Sequence, residues 1–129
     1  MTHPPEARRE QGDAAEERAC RHLDRSGFTI VERKYRTKGG EIDIVARKGD
    51  VLVFVEVRSR EVPGFGTPEE SVTPAKRRRI VGAARRYLST VPPSSWREAR
   101  FDVIAIEGSG DAAALRHYQA AFDAKGKIL

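Results

Sequence analysis

Acidic residues carry the first chemical signal in this 129-residue chain. Glu41, Asp43 and Glu56 fall in two runs that read as neighbouring strands, and Arg58 follows two residues after Glu56. Side chains alternate faces along a strand, so Glu41 and Asp43 share one face, while Glu56 and Arg58 share theirs with Leu52 and Phe54. Lys48-Gly49-Asp50, between the runs, is turn chemistry. With Lys48 and Gly49 as a two-residue loop, or residues 47–50 as a four-residue one, Asp43 comes opposite Phe54 and Glu41 opposite Glu56. All four charged side chains then project from one face. In that register Asp43 and Glu56 are diagonal neighbours about 7 to 8 Å apart at the backbone, a span that two carboxylates can close around one divalent cation. Acids gathered at the end of an apolar strand suffer desolvation and mutual repulsion, which a cation, a basic partner or protonation relieves. Taken singly, each of these residues reads better as part of a solvated hairpin face; the combination favours a metal site.

The elements that must position these residues follow from periodicity. Ala15, Ala19 and Leu23 recur at helical spacing between Asp13 and Ser26, and Gly27 ends the run. Glu16 precedes Ala19, Cys20 and Leu23 by three, four and seven residues, which turns it inward toward the sheet, whereas Glu17 looks to solvent. Residues 1–12 read as a flexible lead-in and 13–129 as a single domain. Residues 28–36, 41–47 and 51–58 read as three strands, the third apolar on both faces and therefore central. The Gly- and Pro-containing stretch from Glu61 to Ser71 is a loop. Thr73 caps a helix that opens on Pro74 and runs to about Leu88. Residues 101–107 form a fourth strand, and 115–122 a last strand or short helix.

Composition narrows the partners. No apolar stretch is long enough to cross a bilayer, no apolar leader precedes the first helix, and the lone Cys20 permits no internal disulfide, all of which suits a cytoplasmic protein. His3, His22 and His117 have no zinc spacing and read as surface or half-buried residues, so a metal here would be oxygen-ligated. The net charge of +5 favours polyanions. Six basic residues and no acid lie between Lys76 and Arg86. Arg78 with Arg85, and Arg79 with Arg86, stack two turns apart as ridges suited to phosphates, although a solvated face explains such a run equally well.

Together these residues resemble the PD-(D/E)xK nuclease pattern, and more closely the YraN-like family of bacterial proteins, akin to archaeal Holliday-junction resolvases. The likeness rests on Gly12-Asp13 with Glu16 and Ala19, on Gly39-Gly40-Glu41-Ile42-Asp43, and on residues 54–60 (Phe-Val-Glu-Val-Arg-Ser-Arg). Gly66, Ser71-Val72, Lys76 and Arg100-Phe101-Asp102-Val103 continue it in order. The resemblance implies an α/β, three-layer restriction-endonuclease-like fold, a mixed central sheet flanked by helices, with the site where the second and third strands separate. It implies that Asp43 and Glu56 hold Mg²⁺ or Mn²⁺, that the Val57 carbonyl is a further ligand, that Glu16 completes or supports the site, and that Lys76 contacts nucleic acid. The expected activity is endonucleolytic hydrolysis of DNA, with branched or structured DNA as candidate substrates; a homodimer is compatible with this reading. Arg58 stands where the wider pattern has lysine. A guanidinium cannot serve as a base, so its expected role is electrostatic. A nucleic-acid-binding module that keeps the fold without turnover is the competing expectation.

Overall fold

The computed structural model describes residues 5–62 and 66–129, with side chains described from residue 12 onward. Chain order is α1 (Pro5–Arg25), β1 (Thr29–Thr37), β2 (Gly40–Lys48), β3 (Val51–Arg60), α2 (Pro74–Leu88), β4 (Glu98–Glu107) and β5 (Ala114–Phe122). The five strands form one sheet in the order β1-β2-β3-β4-β5. Strands β3 and β4 run parallel and the other neighbours antiparallel, so α2 serves as the crossover between β3 and β4. The result is the expected α/β fold with a mixed sheet, and residues 114–122 resolve as a strand.

The first helix starts eight residues earlier than the apolar periodicity suggests, reaching back to Pro5 through most of the expected lead-in. Proline is accommodated in a first turn, where its missing N–H has no partner to lose, and Glu6 to Gln11 are good helix formers. At α2 the cap is as expected: the Thr73 hydroxyl accepts a hydrogen bond from the Lys76 amide at 3.2 Å, and Pro74 opens the first turn. Of the expected loop between Glu61 and Ser71, Pro63, Gly64 and Phe65 lie outside the described residues.

The sheet separates two cores. Ala15, Ala19 and Leu23 of α1 pack on Ile44, Val53, Val55 and Ile104, while Ile80, Ala84 and Tyr87 of α2 pack on Val45, Phe54, Phe101 and Val103. Central β3 feeds both clusters with alternate residues, which explains its unbroken apolar run.

The hairpin register differs from expectation by two residues. Lys48 pairs with Val51, leaving Gly49 and Asp50 as the loop, and the ladder runs to Ile44 opposite Val55. Gly49 has a φ of +62°, the conformation a two-residue hairpin asks of its first position and glycine adopts without strain. One step past the last pair, the same register sets Asp43 against Glu56 and moves Glu41 outward. A shift of two preserves side-chain parity, so the face assignment holds in spite of it.

Candidate active site

The ladder between β2 and β3 stops at Ile44 and Val55, and Asp43 sits in the opening. Its Oδ2 accepts the Val57 N–H at 2.8 Å, bridging the separating strands with a side chain. Glu56, 5% exposed, lies within hydrogen-bonding reach of the Asp43 carboxyl. Both open into a cavity of about 460 Å³ lined also by Glu41, Lys76, Arg79 and Ile80.

Burial, reinforced by the hydrogen bond and negative charge of Asp43, pushes the Glu56 carboxyl up to about 9. The nearby charges of Lys76 and Arg58 oppose that rise without cancelling it. Buried Glu56 and half-buried Asp43, under-compensated in this way, make a hard-oxygen donor set, and the chemistry suits Mg²⁺ or Mn²⁺. Val57 meets the pair through its amide.

The other expected site residues distribute unevenly. Glu16 does turn inward, 4% exposed, but it is held by Arg33 Nε at 2.9 Å and Lys34 Nζ at 3.0 Å and does not line the Asp43–Glu56 cavity. Consecutive strand residues ordinarily point to opposite faces. Lys34, with a φ of +52°, breaks that alternation, so both cations reach the same helix. Glu41 lines the cavity mouth and pairs with Arg36 at 3.4 Å in place of the expected encounter with Glu56. Arg58 Nε donates to Ser71 Oγ at 2.7 Å, and Ser71 in turn donates to the Pro68 carbonyl. Among the described residues, no group of three His, Cys, Asp or Glu side chains is arranged to hold a metal ion. A cation here would therefore draw on Asp43, Glu56 and main-chain or solvent oxygens.

Beside this cavity, and sharing Arg36, Thr37, Gly39 and Arg79 with it, runs a wider groove of about 940 Å³ between α2 and the β1–β2 turn. Arg78, Arg79 and Arg86 line its helical wall, with Ala75, Gly82 and Ala83 as the small residues between them. These six positions follow i, i+3, i+4, i+7, i+8, i+11, a single helical stripe. Arg85 is excluded from that stripe and donates to the Ala124 carbonyl at 3.2 Å, and Arg77 likewise serves the C-terminal segment through Gly126. Pairing residues seven apart puts Arg85 on the wrong ridge; including the small residues finds the right one. The facing wall adds Arg36 and Lys38, which sequence reasoning misses because β1 shows no charge segregation. Gly40 allows the two walls to close: a Cβ there would lie 2.5 Å from the Arg79 carbonyl oxygen.

The model of the uncharacterised protein family UPF0102 matches residues 15–106, a span from α1 through β4 that includes the whole acid pair and groove. The chain belongs to this family. A UPF0102 protein of Cupriavidus taiwanensis is 52% identical over 122 residues, covering 92% of this chain and 86% of that one. A UPF0102 protein of Myxococcus xanthus is 44% identical over 120 residues, covering 93% and 94%. A third, from Dechloromonas aromatica, is 50% identical over 98 residues, covering 76% and 79%. Among the described residues of this UPF0102 chain, no helix is long and apolar enough to cross a membrane.

Proposed function

We propose that this UPF0102 chain is a metal-dependent, cytoplasmic endonuclease that hydrolyses phosphodiester bonds in DNA, structured DNA included. The observation that carries this reading is the under-compensated pair of buried Glu56 and half-buried Asp43, opening beside an arginine-lined groove. Asp43 and Glu56 would hold Mg²⁺ or Mn²⁺, and the ion would supply Lewis-acid polarisation of the phosphoryl oxygen and a lowered pKa for attacking water. The resemblance to PD-(D/E)xK nucleases and resolvase-like proteins supports the same assignment.

The remaining roles belong to this chain's own cations. Arg78, Arg79 and Arg86 on α2, with Arg36 and Lys38 opposite, grip backbone phosphates and deliver the strand to the cavity. Lys76 is a half-buried ammonium lining the same cavity as the acid pair, so it neutralises charge on the scissile phosphate. Arg58, tethered to Ser71, contributes its field to Glu56 and braces the segment that precedes α2.

The test is a panel of branched, flapped, single-stranded and duplex DNA incubated with Mg²⁺ or Mn²⁺. Cleavage that disappears in Asp43→Asn and Glu56→Gln is expected; no cleavage of any substrate, or cleavage that survives both changes, overturns the reading. The Arg58–Ser71 bond is the observation that favours a non-catalytic binding module, because it ties up the cation at the position where the nuclease pattern has lysine. DNA binding unaffected by metal and by Asp43→Asn would select that module.

A further inference from the structure

The opposite face of the sheet carries a second recess. It has a volume of about 810 Å³ and lies between α1 and the approach to β5, lined by Arg18, Arg21, His22, Arg25, Asp111 and Leu115. Arg18, His22 and Arg25 occupy one helical stripe with Arg21 beside it, so three guanidinium groups project into one concavity. Among the described residues, Asp111 is the one acid on its lining, fully exposed and 3.9 Å from Arg21, too loosely placed to neutralise three cations.

Two observations distinguish this recess from a solvated basic helix. Arg18 Nη1 is buried and has no hydrogen-bond partner among the described residues, so the guanidinium carries an unmet donor that a side-chain rotation toward an anion in the recess would satisfy. The wall behind it is also fixed: His22 Nε2 lies 3.0 Å from His117 Nδ1, His117 Nε2 lies 2.7 Å from Asp102, and Arg100 binds the same carboxylate through two nitrogens. That chain of polar contacts ties α1 to β5 and β4, so the arginines are presented on a rigid frame, which lowers the entropy lost when a ligand binds.

We infer that this recess is a second phosphate-binding site, recognising phosphoryl groups through Arg18, Arg21 and Arg25 on the face of the sheet away from the Asp43–Glu56 cavity. Planar guanidinium forks match phosphate oxygens two at a time. Seven residues of helix separate Arg18 from Arg25, about 10 Å of rise, enough to engage successive phosphates of a strand or the several oxygens of one nucleotide. Phosphate binding here does not depend on whether the acid pair cleaves anything, and its test therefore uses binding in EDTA.

Fluorescence anisotropy of labelled oligo-dT is compared between the full-length protein and the triple variant Arg18→Gln/Arg21→Gln/Arg25→Gln. For a strand ligand, affinity falls at least tenfold and the slope of log K against log salt shrinks by about 2, near 0.7 for each phosphate no longer neutralised. For a free nucleotide ligand, the oligonucleotide result is unchanged, but calorimetry detects dTMP binding to the parent protein that the variant lacks. Because Arg18 is half-buried, Arg21→Gln/Arg25→Gln serves as a second variant, with about two-thirds of the slope change expected. Unchanged affinity for both probes overturns the inference. So does an equal loss of affinity for polyglutamate, which would assign the recess to acidic polypeptides.

Discussion

Glu56 on β3 and Asp102 on β4 are both out of solvent, 5% and 0% exposed, on adjacent parallel strands. Glu56 faces another carboxyl, and burial together with Asp43 drives it toward the protonated form. Burial also pushes Asp102 up, but hydrogen bonds from His117, Arg100 and the Ala120 N–H outweigh it and leave the group below its ordinary value. The β5 backbone is bent to make this so: Ala120 has a φ of +52° at an irregularity in the β4–β5 pairing, and its amide reaches Asp102 Oδ1 at 3.0 Å. A buried acid whose lone pairs are all answered by the fold serves structure, whereas one answered mainly by another acid is poised for a ligand.

The largest expected effect that would break this contrast is on Asp102. Asp102→Ala strips the partner from Arg100 and His117 and should cost about 3 to 5 kcal/mol in a denaturant titration; a loss under about 1 kcal/mol would mean that the network is not structural. Glu56→Gln should act in the opposite direction. Without metal it removes a reluctant acid and should stabilise the protein by about 1 to 3 kcal/mol at neutral pH. With Mg²⁺ at about 1,000 times its dissociation constant the parent gains about 4.1 kcal/mol that the variant does not, so the order of stabilities should reverse. An order that ignores Mg²⁺ would remove Glu56 from the proposed metal site.

Proton linkage sharpens the same comparison. Glu56 binds its proton more tightly folded than unfolded, so the metal-free protein should lose stability as pH rises above the ordinary carboxylate range toward the raised value. Asp102 binds its proton less tightly when folded, so its contribution is present above the unfolded value and is lost as pH falls through the folded one. Melting temperatures across pH should show both limbs, with Glu56→Gln flattening the alkaline one and Asp102→Asn the acid one. The smallest effects concern glycine. Gly40→Ala must push the β1–β2 turn off α2 and should cost about 1 to 3 kcal/mol. Gly82→Ala meets open space and should stabilise α2 by about 1 kcal/mol.

Much of this architecture is legible in the sequence because periodicity survives small errors. The α2 cap at Thr73 and Pro74, the central β3 and the shared face of the acids all follow from patterns that a register slip of two does not disturb. What escapes is set by backbone departures that sequence pattern does not encode. Lys34 in the left-handed region redirects two cations onto Glu16, and Ala120 in the same region supplies a ligand to Asp102. Neither is a glycine, so neither announces its conformation. Arg85 escapes for a plainer reason: counting charge alone passes over the small residues that mark a groove floor.

The Asp43–Val57 hydrogen bond has a kinetic consequence. Asp43 and Glu56 are thirteen positions apart on one tight hairpin, among the most local pairings in the sheet, whereas β4 reaches β3 only after the α2 crossover. Short loops close early and at low entropic cost. The expected order of folding therefore brings the two carboxyl groups together before α2 docks with Lys76. Divalent cation added during refolding is therefore expected to speed the docking of α2 in a stopped-flow experiment, and a docking rate indifferent to Mg²⁺ would count against the pair as its binding site.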